Sequence, residues 1–371
     1  MLAATPAIAD DSAARSAVET SGARFDTDAY GPQAARDAAA AGFEQLLSGA
    51  VALLPDHGLV SLTGDDRVRF LHSMTTNDVE RQPASQARWH GLCTPKGRLL
   101  ATMLAWRDPA AIWLLLPRPQ AEPIRKRLSM YVLRAKVKVE DRSDAHAVLG
   151  LCGERAGEAL AALGLPVPAA FEVAQAALGT DPEAQATVVG LAPIGSSQAG
   201  DTASLRRWLL VVPAAALAAL WARLAGSLHA VGSAAWRWTE VRSGVARIVP
   251  ATVERFVPQM INFDTIGGVS FDKGCYPGQE IVARSHYLGK VKRRVFLAHL
   301  DGAEPAPGTE IFADAADAVG VVALAAPAPG GGTDLLFEAQ AAAIAHGGAQ
   351  LRIGDRPLHV EPLPYALPAD G

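Results

Sequence analysis

The order of apolar and polar residues divides the chain into alternating short strands and helices. Leu59 to Gly64 is a short apolar run ending in a turn, and Asp65 or Asp66 can then cap a helix through Arg67-Val68-Arg69-Phe70-Leu71. Ala111 to Leu116 is an uninterrupted apolar run between Pro109 and Pro117, as in a buried strand. A helix is predicted from Glu122 to Tyr131. Ala135 to Glu140 alternates apolar and charged residues, as a half-buried strand does. His146–Leu151 predicts a strand, Glu154–Leu163 a helix, Trp208–Pro213 a strand and Ala214–Leu224 a helix. That order suits a ferredoxin-like α+β unit. Residues 174–203 predict strands mixed with long loops. Beyond Val295, short β-like runs separated by Gly and Pro predict a terminal barrel or sandwich. Upstream, Val51–Leu54 is β-like, Ala34–Ser48 is helix-prone, and residues 1–35 read as a flexible tail.

Composition narrows the class. The chain has 371 residues, half of them hydrophobic and 19% charged, which is neither disordered nor fibrous. Its 34 basic and 38 acidic residues give a net charge of −4, which excludes a polycationic nucleic-acid coat but not a local basic groove. Three widely spaced cysteines, Cys93, Cys152 and Cys275, form no Cys-x-x-Cys pair. Neither a disulfide framework nor a metal cage is expected, and a reducing cytoplasm is the natural compartment. No apolar run of bilayer length occurs, so no membrane association is expected, and the start does not read as a signal peptide.

The densest chemical signal lies at residues 267–284. Pro277 suits the first turn of a helix, and Gly289 suits its stop. Cys275 would then precede a helix N-terminus, where partial positive charge favours a thiolate, with Lys273 nearby. Gly274 and Gly278 leave room for close approach.

Lys273-Gly274-Cys275-Tyr276-Pro277-Gly278-Gln279-Glu280 resembles the signature of the YgfZ-type folate-binding proteins, relatives of the glycine-cleavage T-protein, an aminomethyltransferase. Phe256–Phe263, Gly267–Phe271, Phe70-Leu71 with Thr76–Val79, Cys93–Arg98 and Leu358–Tyr365 are similar as well, so the resemblance covers about residues 50 to 365. It implies an α+β, three-domain ring around a central channel, with a ferredoxin-like middle domain and a C-terminal β-barrel. The expected division is a composite folate-binding domain of residues 36–145 with 236–290, a ferredoxin-like domain of 146–235, and a barrel domain of 291–371.

The resemblance also implies tetrahydrofolate, with or without a polyglutamate tail, as cofactor. It implies a role in the assembly or repair of iron–sulfur proteins, including enzymes that modify tRNA. By position Trp236 matches a tryptophan that contacts folate, and His57 falls where the family has a second. Cys275 and Lys273 are the candidate reactive groups, and Gly274, Tyr276, Gly278, Gln279, Glu280 and Arg284 would shape their surroundings. No metal ligand set is expected.

In the T-protein an Asp-Asp pair follows a Gly-Gly turn. Here Leu100 and Ala101 stand there, and neither can accept a proton. Arg242 replaces an acid found in related proteins, which Glu240 could offset. An accessory factor is therefore expected rather than a transferase. The alternatives are a folate-dependent methyl- or aminomethyltransferase using Asp264 or Glu280, and an adaptor that touches tRNA directly. Basic runs at 118–138 and 284–294 could attract a polyglutamate tail or an RNA backbone, although no RNA-binding aromatic motif accompanies them.

Overall fold

The computed structural model describes residues 43–179, 181–195, 204–287, 291–313, 317–345 and 351–368. The expected tail, most of the helix-prone stretch before Ser48 and the expected stop at Gly289 lie outside them.

The chain opens with α1 (Phe43–Ser48), β1 (Ala50–Leu53), β2 (His57–Thr63), α2 (Arg67–Met74), β3 (Arg88–Cys93), β4 (Leu99–Arg107), β5 (Ala111–Pro117), α3 (Arg118–Tyr131) and β6 (Lys138–Asp141). Five of these strands form one antiparallel sheet in the order β3-β4-β5-β2-β6. The uninterrupted apolar run Ala111–Leu116 becomes β5, paired with β4 on one side and β2 on the other. Helix α3 begins at Arg118, four residues earlier than the pattern predicts. Its Pro119 lies in the first turn, where a missing N–H costs nothing. Strand β6 is shorter than predicted because Lys136 donates its backbone N–H to Asp66 and Ala135 closes a turn.

Next come β7 (His146–Cys152), α4 (Glu154–Ala162), β8 (Val173–Leu178), β9 (Asp181–Gly195), β10 (Ser204–Pro213), α5 (Leu217–Ala225) and β11 (His229–Val231). They build a six-stranded sheet, β11-β1-β7-β10-β9-β8, with α4 and α5 packed on one face in a ferredoxin-like arrangement. Strand β1 joins it antiparallel to β7, so residues 50–53 cross into this sheet from the other side of β2 in the sequence.

Helix α6 (Ser233–Arg242) and α7 (Gln279–Tyr287) precede the last unit, β12 (Arg293–Leu300), β13 (Glu310–Phe312), β14 (Ala318–Pro327), β15 (Thr333–Gln340), α8 (Ala341–Ala345), β16 (Arg352–Ile353) and β17 (Arg356–Glu361). Its strands close into a barrel in the order β12-β15-β14-β13-β16-β17, which settles barrel over sandwich. Closure removes the exposed edges that a sandwich would keep.

One apolar cluster joins all three units, from Leu104 and Leu115 through Val189 and Leu209 to Leu297 and Leu324. Helix α6 lies at this junction and is buried along almost its whole length. Towards the barrel, its Trp238 indole N–H donates to Asp334 at 2.7 Å, Arg242 pairs with Asp334 and Glu361, and Arg237 pairs with Glu304 at 3.2 Å. Among the described residues no helix is long and apolar enough to cross a membrane.

Candidate folate site and thiol loop

The remaining face of α6 closes a cavity between the two sheets. It encloses about 560 Å³ of space, its open mouth included. Leu104, Leu115, Leu116 and Leu209 give it apolar walls, and Trp89 and Phe171 give it aromatic ones. Phe171 is held at φ +61°, a backbone region in which a bulky L-residue is strained.

The polar wall is a buried charge network. His57, the first residue of β2, places Nδ1 3.0 Å from Asp56 and Nε2 3.1 Å from Glu240. Arg247 donates to Glu240 at 2.6 Å, lies 3.6 Å from Asp56, and brings Nη1 within 2.9 Å of His57 Nε2. Burial pushes the Asp56 and Glu240 carboxyls up. For Asp56, His57 and then Arg247 outweigh burial; for Glu240, Arg247 leads and His57 follows. Both carboxyls are held below the usual range. Burial also opposes charge on His57, yet Asp56 and Glu240 prevail over it and over Arg247, and its pKa is raised.

Arg207 of β10 completes the wall. It donates to Thr239 O at 3.2 Å and Ala192 O at 3.0 Å, and burial lowers its pKa to about 10. Its buried Nε–H has no partner among the described residues.

Trp236 stands one layer behind this wall. Its indole N–H donates to Glu240 at 3.3 Å, and the Arg207 guanidinium lies 5.9 Å from the ring centroid. The β7 backbone covers the ring closely: a Cβ on Gly150 would sit 2.4 Å from it. His57 and Trp236 therefore meet at Glu240, His57 lining the cavity and Trp236 orienting the carboxylate. No motif in the sequence marks Trp89, Phe171, Arg207 or Arg247. A Trp-x-x-x-Glu spacing on one helical face was the available signal for the Trp236–Glu240 contact.

The signature residues gather elsewhere, around a loop before α7. Cys275 is exposed. Helix α7 begins at Gln279, four residues beyond it, because Gly278 turns the chain at φ +83°. Gly278 must be glycine there, since a Cβ would meet Thr94 O at 2.4 Å and the Gly97 backbone at 2.7 Å. The Cys93–Arg98 turn is thereby docked against the signature loop.

Lys273 is half-buried and donates its ammonium to the backbone carbonyls of His72 and Thr75 at the end of α2. Its Nζ also lies 4.9 Å from the Tyr276 ring centroid. Burial lowers its pKa to about 8, against the pull of Asp78, Glu80 and Cys275. Gln279 accepts the Tyr276 backbone N–H at 3.3 Å. Tyr276 is buried, Gly274 faces His72, and Glu280 and Arg284 are exposed.

Leu100 and Ala101 of β4 are buried in apolar packing, and neither lines the cavity. The two alternative acids do not line it either. Asp264 is locked to Arg294 at 2.6 and 3.0 Å, and Glu280 faces outward.

Two curated relatives decide the family. The chain is 34% identical over 264 residues to the tRNA-modifying protein YgfZ of Vibrio vulnificus (strain YJ016), covering 71% of this chain and 74% of the relative. It is 30% identical over 259 residues to the protein of that name from Yersinia pestis (strain Pestoides F), covering 70% and 73%. The chain belongs to the YgfZ family. No family model matches it. Among solved structures, the glycine cleavage system aminomethyltransferase T of Bartonella henselae superposes with a TM-score of 0.72, covering 94% of this chain and 95% of that one at 17% identity. At that identity the likeness is one of fold: this YgfZ-family chain has the T-protein architecture expected from its sequence.

Proposed function

We propose that this chain binds tetrahydrofolate, with or without a polyglutamate tail, in the cavity beside α6. We further propose that it acts in the cytoplasm as an accessory factor in the assembly or repair of iron–sulfur proteins. The relatives' name, tRNA-modifying protein, supports placing enzymes of tRNA modification among those clients.

The observation that carries this reading is the cavity's donor set. A carboxylate held ionised suits the amino-pyrimidine edge of a pterin, which offers paired N–H donors. The orphaned Arg207 Nε–H suits a carbonyl or carboxylate of the same ligand, since a buried donor without a partner is costly. Trp89 and Phe171 suit flat rings. Bound tetrahydrofolate would supply its one-carbon-carrying amines.

The chain's own residues would bind and orient that ligand. Trp236 and Arg247 fix the Glu240 carboxylate, and the leucine walls exclude water. With Leu100 and Ala101 in place of acids, and with Asp264 and Glu280 away from the cavity, binding without aminomethyl transfer is the better reading. Cys275 is the reactive thiol, carried on a loop that Lys273 ties to the end of α2.

Complementation of a deletion strain tests both halves. Leu191→Trp, which fills the cavity from a partly exposed wall position, and Cys275→Ser should each fail to restore iron–sulfur enzyme activity. Full restoration by either variant removes that half of the reading.

A further inference from the structure

Helix α3 ends in a turn that works against its own residue. Ala135 donates its backbone N–H to Val132 O at 2.7 Å, closing a four-residue turn with Leu133 at the first central position. Leu133 has φ +44°, whereas no positive φ falls on Arg134. A turn of this kind favours glycine at that position, because a side chain there is strained. The strained residue is also exposed. Leu133 is 88% exposed, and the adjacent Met130 and Tyr131 are 66% and 47% exposed. Of the seven large hydrophobic side chains exposed among the described residues, these three fall within four positions of each other. Glycine at 133 would relax the backbone and lose no buried contact, so the packing of this chain does not account for the leucine.

The rim indicates what it meets. Residues 126–136 carry Lys126, Arg127, Arg134 and Lys136 and no acid. Glu122 lies 3.4 Å from Lys126, and Asp65 lies 3.5 Å from Lys136, so two of the four cations are partly offset. Methionine, tyrosine and arginine are residue types enriched in protein–protein interfaces, and tyrosine and arginine in their hot spots. Leucine and methionine at the tip offer nothing to a phosphate backbone. A second copy of the same patch would set like charges against each other across a twofold axis. Three apolar side chains are also a weak anchor for a bilayer. None of these residues lines the folate cavity.

We propose that the Met130–Arg134 tip is a docking site for a protein partner that offers an apolar pocket rimmed by carboxylates. Leu133 enters the pocket and the cations face its rim. This stands whether or not the cavity takes a folate.

A photo-cross-linking residue is placed at Met130 in cells, with Val360, another exposed apolar position, as control. The protein captured at 130 and not at 360 is identified, purified and titrated with the parent and with Leu133→Gly. The expected result is at least tenfold weaker binding by Leu133→Gly, weakening of the parent complex by salt, and a Leu133→Gly melting temperature equal to or above the parent's. Equal binding by Leu133→Gly overturns the proposal, as does the absence of a protein adduct or an adduct to this chain itself. Binding of bulk tRNA, or of phosphatidylcholine–phosphatidylglycerol vesicles, that Leu133→Gly abolishes overturns it by giving the tip another occupant.

Discussion

His57 Nε2 lies 3.1 Å from Glu240 Oε1, joining the first residue of β2 to the last turn of α6 across 183 positions of sequence. This contact couples the charge of an imidazole to the carboxylate that faces the cavity. It gives the fold a definite pH signature. The raised His57 pKa makes its contribution to stability fully present below its ordinary value of 6.5, and lost as pH rises through the folded value. Asp56 and Glu240 act in the other sense. Their contributions are present above their ordinary values of 3.8 and 4.5, and are lost as pH falls through the lowered ones. Thermal melts of the parent should therefore lose stability on both sides, and His57→Gln should remove the alkaline slope while moving the acid limb to higher pH, since His57 helps hold both carboxyls down. An unchanged alkaline slope in His57→Gln would contradict the pairing.

Glu240→Gln keeps the shape of the side chain and removes its charge. A hydrogen bond to a charged group contributes roughly 1.5–3 kcal/mol, so tetrahydrofolate affinity should fall at least about tenfold. Removing one partner of a buried pair should also lower the melting temperature, because Arg247 and His57 lose their counter-charge. Titration calorimetry and a melt on the same sample separate the two effects.

The three thiols should differ sharply under native conditions. Burial pushes the Cys93 and Cys152 thiols up to about 12, whereas Cys275 is exposed. Iodoacetamide at neutral pH should label Cys275 alone, and peptide mass spectrometry reads the outcome directly. Labelling of Cys93 or Cys152 before unfolding would show that their packing is looser than described.

Lys273→Met removes two donors from the carbonyl end of α2. The expected loss is about 1–3 kcal/mol of stability, with Lys273→Arg recovering part of it. Faster proteolysis near residue 273 should accompany the loss in Lys273→Met. Wild-type proteolysis and stability in that variant would show that the loop is held by other contacts.

Ala101 is fully buried in an apolar cluster with Met103 and Leu114. Ala101→Asp should therefore destabilise the protein without creating aminomethyl transfer, since a carboxylate there is stranded away from the cavity. Incubation with tetrahydrofolate and one-carbon donors should yield no methylene-tetrahydrofolate at catalytic turnover, in the parent or in the variant.

Much of the architecture was legible in the chain because local patterns carried it. Continuous apolar runs such as Ala111–Leu116 and Trp208–Val212 marked strands buried on both faces. The signature at 273–280 marked the thiol loop. The cavity wall was not legible, since nothing local distinguishes Arg207 and Arg247 from other arginines until the pairing of β10 buries the first beside Thr239 and the return of the chain after α6 pairs the second with Glu240. Trp236 carried a family role in the sequence, but only the close approach of Gly150 shows which surroundings its ring has. Barrel and sandwich were indistinguishable in the terminal strands, because the pairing of β12 with β17 that closes the barrel links residues about 60 positions apart. The strained turn at Leu133 left no mark in the sequence, because that leucine falls between the helix predicted to end at Tyr131 and the strand predicted from Ala135, with no glycine there to signal a positive φ.

Calorimetric titration of tetrahydrofolate into the purified parent and into Leu191→Trp tests the cavity most directly. One saturable site in the parent, lost in Leu191→Trp while the melting temperature holds, is the expected result. No binding by the parent, or equal binding by the plugged variant, would contradict a folate site between the two sheets.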